Sequence, residues 1–441
     1  MTVLNPPELP ELGSAMTTPQ AVIEAQRCLY CYAAPCQQAC PTHIEIPSFI
    51  RRISNHDDRG AAQTILDANV LGASCARVCP VEELCEGACV LNDTEDPIQI
   101  GRLQRYATDT FSASGLPIIE PGPDTGRKVL IVGSGPAGLS AAAELRREGH
   151  RVVIWESRQR AGGLSTYGIL PIREPLQIAQ HEVDEVARSG VEILTGHPLS
   201  SHAELIDASA EFDAVLLATG LGATTPLGLD HEELALDGLD YIATAKLDPD
   251  SLPRFGRVAV IGAGNTAIDA ATIAQRFGSR TVIVYRRGEQ QAPCYPAERQ
   301  FALAEGITFS YLSQPVGVVA DQGVVTGVRC LRTALGPTDL SGRASFATVP
   351  GSDFVIGCDA VIKANGQGRP QDSMGDLEMD THRGFIAVDA DYATSIPGVW
   401  AAGDAVRSVG QASTVMAVQD GTLAARCIDR ALMGVTGRKG A

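Results

Sequence analysis

The sequence predicts an α/β protein: an N-terminal all-helical, cysteine-rich domain followed by two nested Rossmann-type domains. Three observations predict it. Eight of the twelve cysteines fall in two short runs between Cys28 and Cys89. Two strand–glycine loop–helix–strand units follow, opening at Lys128 and Arg257. The strand and helix that complete the first unit come last, from about residue 398, so the second unit sits inside the first. The expected domains are therefore 1–122 (helical), 123–224 with 357–441 (the discontinuous outer unit), and 225–356 (the inner unit).

The composition narrows the function. A chain of 441 residues has room for roughly two to four domains. Its formal charge of −17 speaks against a broad basic face for nucleic acid. The opening MTVLNPPELPELGSA is Pro-rich and acidic, unlike a signal peptide. The most apolar stretch, Val129 to Leu145, is broken by Gly133, Ser134, Gly135, Pro136 and Gly138, so no membrane span is expected. The expected compartment is the cytoplasm, where thiols stay reduced and a disulfide framework is disfavoured.

Taking the chain in order, Thr17 or Thr18 with Pro19 opens a helix to about Arg27. The first run, RCLYCYAAPCQQACP, is expected in a loop. Helical apolar spacing recurs at Ile46–Arg52 and Gly60–Leu71. The second run, CARVCPVEELCEGAC, follows, and then an amphipathic helix over Ile100–Phe111. GLPIIEPGPDTGRK (115–128) reads as a linker.

From Lys128 the pattern is a buried strand, VLIVG, then GSGPAG, a helix, and a second strand ending in Glu156. This is the dinucleotide fingerprint in its proper context. Gly133 and Gly135 let the backbone approach a pyrophosphate, and Gly138 permits close helix–strand packing. Pro136 and Ala137 open the helix whose N-terminus faces the phosphates, and Glu156 is placed to accept from a ribose hydroxyl. The second unit repeats this as VAVIG, GAGNTA (Gly262, Gly264, Asn265, Thr266) and TVIVYRR. It ends in Arg286 and Arg287 rather than an acid, which points to a 2′-phosphate and hence NADP; a solvated arginine face is the plainer alternative. A strand ends at Thr219 and Gly220, and its counterpart at Ala364, Asn365 and Gly366 closes the inner unit. Gly163 and Leu164 with Arg173 (AGGLSTYGILPIREP), and Gly403 and Asp404 before a helix from about Thr414, are the remaining pieces of a flavin site. Asp404 suits a ribityl contact, or serves as a plain turn aspartate. A helix N-terminus near Thr414 would favour the anionic reduced flavin by roughly 0.3–2 kcal/mol.

Zinc, disulfides and iron–sulfur compete for the cysteines. The runs read Cys28-x2-Cys31-x4-Cys36-x3-Cys40-Pro and Cys75-x3-Cys79-Pro-x4-Cys85-x3-Cys89. Short gaps ending in Cys-Pro lie nearest the bacterial ferredoxin run, and eight thiols suffice for two [4Fe–4S] clusters. Proximity divides the ligands by run; the Cys-Pro rule crosses them. Cys294, Cys330, Cys358 and Cys427 are expected as small core or surface residues, and His43 and His56 as surface residues.

RCLYCYAAPCQQACP, GASCARVCPVEELCEGAC, PIQIGRLQRYATD, GSGPAGLSAA, AGGLSTYGI, GAGNTAIDAA and AAGDAV together resemble the flavin-carrying subunit of bacterial dihydropyrimidine dehydrogenase. The chain is also similar to the small subunit of glutamate synthase. The resemblance implies FAD, two [4Fe–4S] clusters and NADPH or NADH. It implies one cluster on Cys28, Cys31, Cys36 and Cys89, and another on Cys40, Cys79, Cys85 and Gln104, leaving Cys75 aside. In the NADP-dependent relatives a further basic residue follows the Arg–Arg pair, where this chain has QQAPC. The implied function is an electron-entry subunit that oxidises NAD(P)H via FAD and passes single electrons through the clusters to an FMN/iron–sulfur partner reducing uracil or thymine. The alternatives are the small subunit of a glutamate-synthase-like or NADPH–ferredoxin oxidoreductase complex, and a zinc-stapled module on a diaphorase.

Overall fold

Helix capping sets the first elements. Thr17 and Gln20 form a reciprocal capping box that starts the helix Thr18–Gln26. Asp57 accepts from the Gly60 N–H at 2.9 Å and starts Asp58–Ala68, two residues before the expected Gly60. Ile46–Ser54 and Ile100–Ser112 lie where their apolar spacing put them. Two short helices fall inside the cysteine runs, Pro35–Ala39 and Gly72–Val78; the first replaces the expected loop, Pro35 in its opening turn fixing the helical φ. The computed structural model describes residues 9–338, 344–373, 377–407 and 412–434.

The chain divides into two compact units. The larger comprises 12–166, 176–222 and 369–441. Its sheet is parallel, in the spatial order Val399–Ala401, Ala214–Leu217, Lys128–Val132, Arg151–Glu156, Glu192–Thr195. The last strand in the chain therefore does complete the sheet begun at Lys128. The helices Pro136–Arg147 and Thr414–Met433 pack tightly, because a side chain at Gly421 would strike the Ala137 carbonyl. The expected break at 122 is not a break in packing. Val70, Leu71, Cys75 and Ile119 share one apolar core with the sheet residues Val129, Ile131 and Ile154, so the helical block and the outer dinucleotide fold form one unit.

Among the described residues, the smaller unit comprises 9–11, 167–175 and 223–368. Its parallel sheet runs Leu236–Asp237, Ala360–Lys363, Arg257–Ile261, Arg280–Val284, Thr308–Ser310. The boundary expected at 356 moves to 368, because Ala360–Lys363 pairs with Arg257–Ile261 in the inner sheet. An antiparallel layer is added to it: Val324–Thr338 pairs with Ser313–Asp321, Ala344–Thr348 and Phe354–Gly357. No described helix is long and apolar enough to cross a membrane.

Candidate cofactor sites

The cysteines gather across the two runs rather than by run. Cys28, Cys31, Cys36 and Cys89 line one small cavity backed by Ile46 and Ile50. Burial raises the Cys28 thiol above its ordinary range and pushes Cys36 up to about 11, with neighbouring thiols adding to both. The second gathering holds Cys40, Cys79 and Cys85. Cys79 is pushed up first by a hydrogen bond with Cys75, then by burial and by Cys75, Cys85 and Cys40; Cys85 is pushed up by burial, then by Glu86 and Cys40. Cys75 therefore stands beside the second set. Gln104 is buried on the Ile100–Ser112 helix, and its Nε2 donates to the Gly72 carbonyl at 2.8 Å. Among the described residues no three His, Cys, Asp or Glu side chains form a single-ion cage. Buried thiols that resist ionisation fit a cationic multi-iron group, whose charge would favour their thiolates.

Glu182 is a residue the sequence did not single out. It lies on Leu176–Arg188 and is buried. Its Oε1 accepts from the Ala73 and Ser74 N–H groups at 2.9 and 3.1 Å, and its Oε2 accepts from the Ser74 hydroxyl. It thereby satisfies the open N-terminus of the helix that carries Cys75 and leads into Cys79.

The outer dinucleotide cradle follows from its glycines. A Cβ on Gly138 would lie 2.0 Å from the Gly133 carbonyl, so only glycine lets the helix sit this close to the strand. Above Gly135, by contrast, the nearest atom to an added Cβ is 3.9 Å away, which leaves open space at the helix N-terminus that Pro136 and Ala137 begin. Glu156 is buried at the end of its strand. Its Oε2 accepts from the Ser134 N–H at 3.0 Å, and its Oε1 from the Arg158 N–H at 2.8 Å. Gly163 packs its Cα against Gly135, and Leu164 stands partly exposed beside it. Thr219 and Gly220 follow the strand Ala214–Leu217. Gly403 lies against Ala137, and the Oδ1 of Asp404 is buried without a partner. Burial raises the Asp404 carboxyl above the usual range, and Arg407 opposes the shift. A buried carboxylate oxygen awaiting a donor fits a flavin ribityl hydroxyl. The helix starts at Thr414, but its cap is Ser413, which accepts from the Met416 N–H.

Arg173 packs in the smaller unit, pairing with Asp269 at 3.2 Å and with Glu298. Beside it Lys246 donates to the Ile169 carbonyl at 3.2 Å, and burial pushes its amine down to about 8, against the pull of Glu174 and Asp269. A short segment flanked by outer-unit residues is thus held by an ionic cluster of the inner unit.

In the inner unit the same open space lies above Gly264, with the nearest atom to an added Cβ at 4.0 Å. Asn265 and Thr266 begin the helix Asn265–Arg276, and Asn265 Oδ1 accepts from the Tyr295 N–H at 3.2 Å. Ala364, Asn365 and Gly366 follow the strand Ala360–Lys363. Asn365 Nδ2 donates to the Thr225 carbonyl at 2.9 Å, while its Oδ1 is buried without a partner. Arg286 and Arg287 follow Arg280–Val284 as expected. Arg287 Nε donates to the Ala344 carbonyl at 2.7 Å.

These two cradles, nested as described, are matched along 127–421 by the family model "pyridine nucleotide-disulphide oxidoreductase". The chain belongs to that family. Residues 8–116 match "dihydropyrimidine dehydrogenase domain II, 4Fe-4S cluster". FAD, a pyridine nucleotide and [4Fe–4S] iron are its cofactors. The NAD-dependent dihydropyrimidine dehydrogenase subunit PreT of Escherichia coli is 36% identical over 97% of this chain and 98% of its own length. The glutamate synthase [NADPH] small chain of the same organism is 33% identical, covering 95% and 93%. The NADPH-Fe(3+) oxidoreductase subunit beta of Geobacter sulfurreducens is 36% identical over 76% of this chain. The chain spans only about half of that relative's length, 51%. Thioredoxin reductase from T. acidophilum superposes with a TM-score of 0.54 at 23% identity, over 70% of this chain and 99% of its own, which shows the shared fold. His43 and His56 are exposed, and Cys294, Cys330, Cys358 and Cys427 are buried.

Proposed function

We propose that this chain is an electron-entry subunit: it binds NAD(P)H on the inner unit and FAD on the outer, and hands electrons through two [4Fe–4S] clusters to a partner subunit. The observation that carries this is the gathering of thiols from both runs into one unit with the cradle above Gly135. FAD supplies the exchange between a two-electron donor and one-electron iron. The protein supplies position. Gly133, Gly135, Gly138 and the helix after them receive the pyrophosphate, Glu156 faces the ribose, and Asp404 waits for the ribityl chain. Gly262, Gly264, Asn265 and Thr266 receive the nicotinamide dinucleotide, with Arg286 and Arg287 at the 2′-phosphate. Cys28, Cys31, Cys36 and Cys89 would hold one cluster; Cys40, Cys79 and Cys85 would hold the other, completed by Gln104.

The acceptor reading is an FMN/iron–sulfur catalytic subunit that reduces uracil or thymine to the 5,6-dihydropyrimidine, in the cytoplasm. What supports it is the PreT subunit's 36% identity over 97% of this chain, against 76% of this chain for the Fe(3+) oxidoreductase subunit. The glutamate synthase small chain has similar coverage, so the partner decides. Tagged protein isolated anaerobically from its native host should bring down an FMN-containing subunit. The pair should oxidise NAD(P)H with uracil, and not with 2-oxoglutarate plus glutamine. Recovery of a large amidotransferase subunit would overturn the pyrimidine reading.

A further inference from the structure

We propose that Phe346 is the positioning residue for nucleotide selectivity: its ring orders both Arg286 and Arg287 for a 2′-phosphate. This rests on the proposed NADP reading of the arginine pair. The guanidinium carbons of Arg286 and Arg287 lie 4.9 and 5.1 Å from the centroid of the same ring. Phe346 is on Ala344–Thr348, the strand that pairs with Val324–Thr338 in the added antiparallel layer. That layer holds the pair at two further points. Arg287 Nε donates to the Ala344 carbonyl at 2.7 Å, and the Arg286 carbonyl accepts from the Thr333 hydroxyl at 2.7 Å.

The chemistry favours an ordering role. Two adjacent cations repel, and the negative face of an aromatic ring relieves part of that repulsion. A ring contact also spends no N–H donor. Stacking uses the face of the guanidinium and not its in-plane N–H edge, which stays open to other partners, as the Arg287 Nε bond to the Ala344 carbonyl shows. Beside the pair a cavity of about 260 Å³ is lined by Tyr285, Arg287, Gln290, Gln291 and Thr338. Tyr285 is fixed there by its hydroxyl, which donates to the Gln291 carbonyl at 2.7 Å. The cavity offers polar walls and one arginine to a phosphorylated ribose. The expected ligand class is an adenosine carrying a 2′-phosphate. The layer that contributes Phe346 lies far along the chain from the dinucleotide fingerprint, so the fingerprint alone does not reveal it.

The test uses the full-length holoprotein and two probes, adenosine 2′,5′-bisphosphate and adenosine 5′-monophosphate, with binding read by calorimetry. Phe346→Leu is expected to weaken the 2′-phosphorylated probe about tenfold, and the 5′-monophosphate less than about twofold. Phe346→Tyr is expected to restore the preference. The ratio of KM values for NADPH and NADH, measured with ferricyanide as acceptor, should shift by the same factor while kcat with NADH holds. The arginine reading has its own control. Arg286→Ala with Arg287→Ala should remove the preference for the 2′-phosphate altogether; if it does not, that reading fails. If the double variant loses the preference and Phe346→Leu keeps it, the role of Phe346 is overturned. Equal weakening of both probes by Phe346→Leu, unrescued by tyrosine, would also overturn it.

Discussion

Gln104 and Cys75 are the two residues on which the second cluster turns. Gln104 spends its amide N–H on the Gly72 carbonyl, and its other end is an acceptor, as a ligand would be. Cys75 is buried against Cys79. If glutamine is the ligand, Gln104→Ala will lose about half of the iron while Cys75→Ala keeps it, read by iron assay per chain. The reverse result would make Cys75 the fourth ligand. Lys246 carries a second expectation at this scale. The unfolded amine holds its proton to near 10.5 and the folded one only to about 8. Between these values the unfolded chain binds more protons, so this residue's contribution to stability rises with pH across that window, by roughly 3 kcal/mol at full extent. Urea melts at several pH values should show this rise in the wild type minus Lys246→Met difference. A difference flat from pH 8 to 10.5 would show the amine charged in the fold.

At the scale of elements, Glu182 fastens one helix to the end of another. Leaving the Ala73 and Ser74 N–H groups and the Ser74 hydroxyl without their acceptor costs about 1–3 kcal/mol per buried group. Glu182→Leu should therefore lower the stability of the larger unit by a few kcal/mol in denaturant melts. It should also speed iron release to a chelator, since the freed helix carries Cys75 and leads into Cys79. Unchanged release with lowered stability would mean the cap does not reach the cluster loops. This carboxylate was not readable in the sequence. Residues 73 and 182 are far apart along the chain, and Leu176–Arg188 carries several acids on an ordinary amphipathic pattern. The glycine fingerprints were readable because their chemistry is local: strand, turn and helix all lie within about thirty residues. The unit to which Arg173 belongs was not readable for the opposite reason. The segment 167–175 is flanked on both sides by outer-unit residues yet packs in the inner unit, where Arg173 pairs with Asp269 and Glu298.

Across the whole molecule, the order of the strands was readable because a parallel sheet admits few ways of returning a late strand beside an early one. Val399–Ala401 beside Ala214–Leu217 is that return. The antiparallel layer was not readable. Its strands follow the second dinucleotide fingerprint without a motif of their own, and their register depends on partners as distant as Arg329 with Val355. The cysteine runs were readable as cluster chemistry, and the Cys-Pro rule already crossed them; the packed helical block brings Cys89 beside Cys28, Cys31 and Cys36. That block sets the last expectation. Cys28, Cys36, Cys85 and Cys89 flank its apolar core, and the chain around them is turns, 3₁₀ helix and the five-residue α-helix Pro35–Ala39. Such segments depend on ligation more than on ladder hydrogen bonds. Removing iron by anaerobic chelation should therefore open 28–40 and 79–95 to protease first, while the parallel sheets stay protected. Mass spectrometry of the early fragments reads this directly. First cuts within the Rossmann strands would show that the thiol block holds itself without metal.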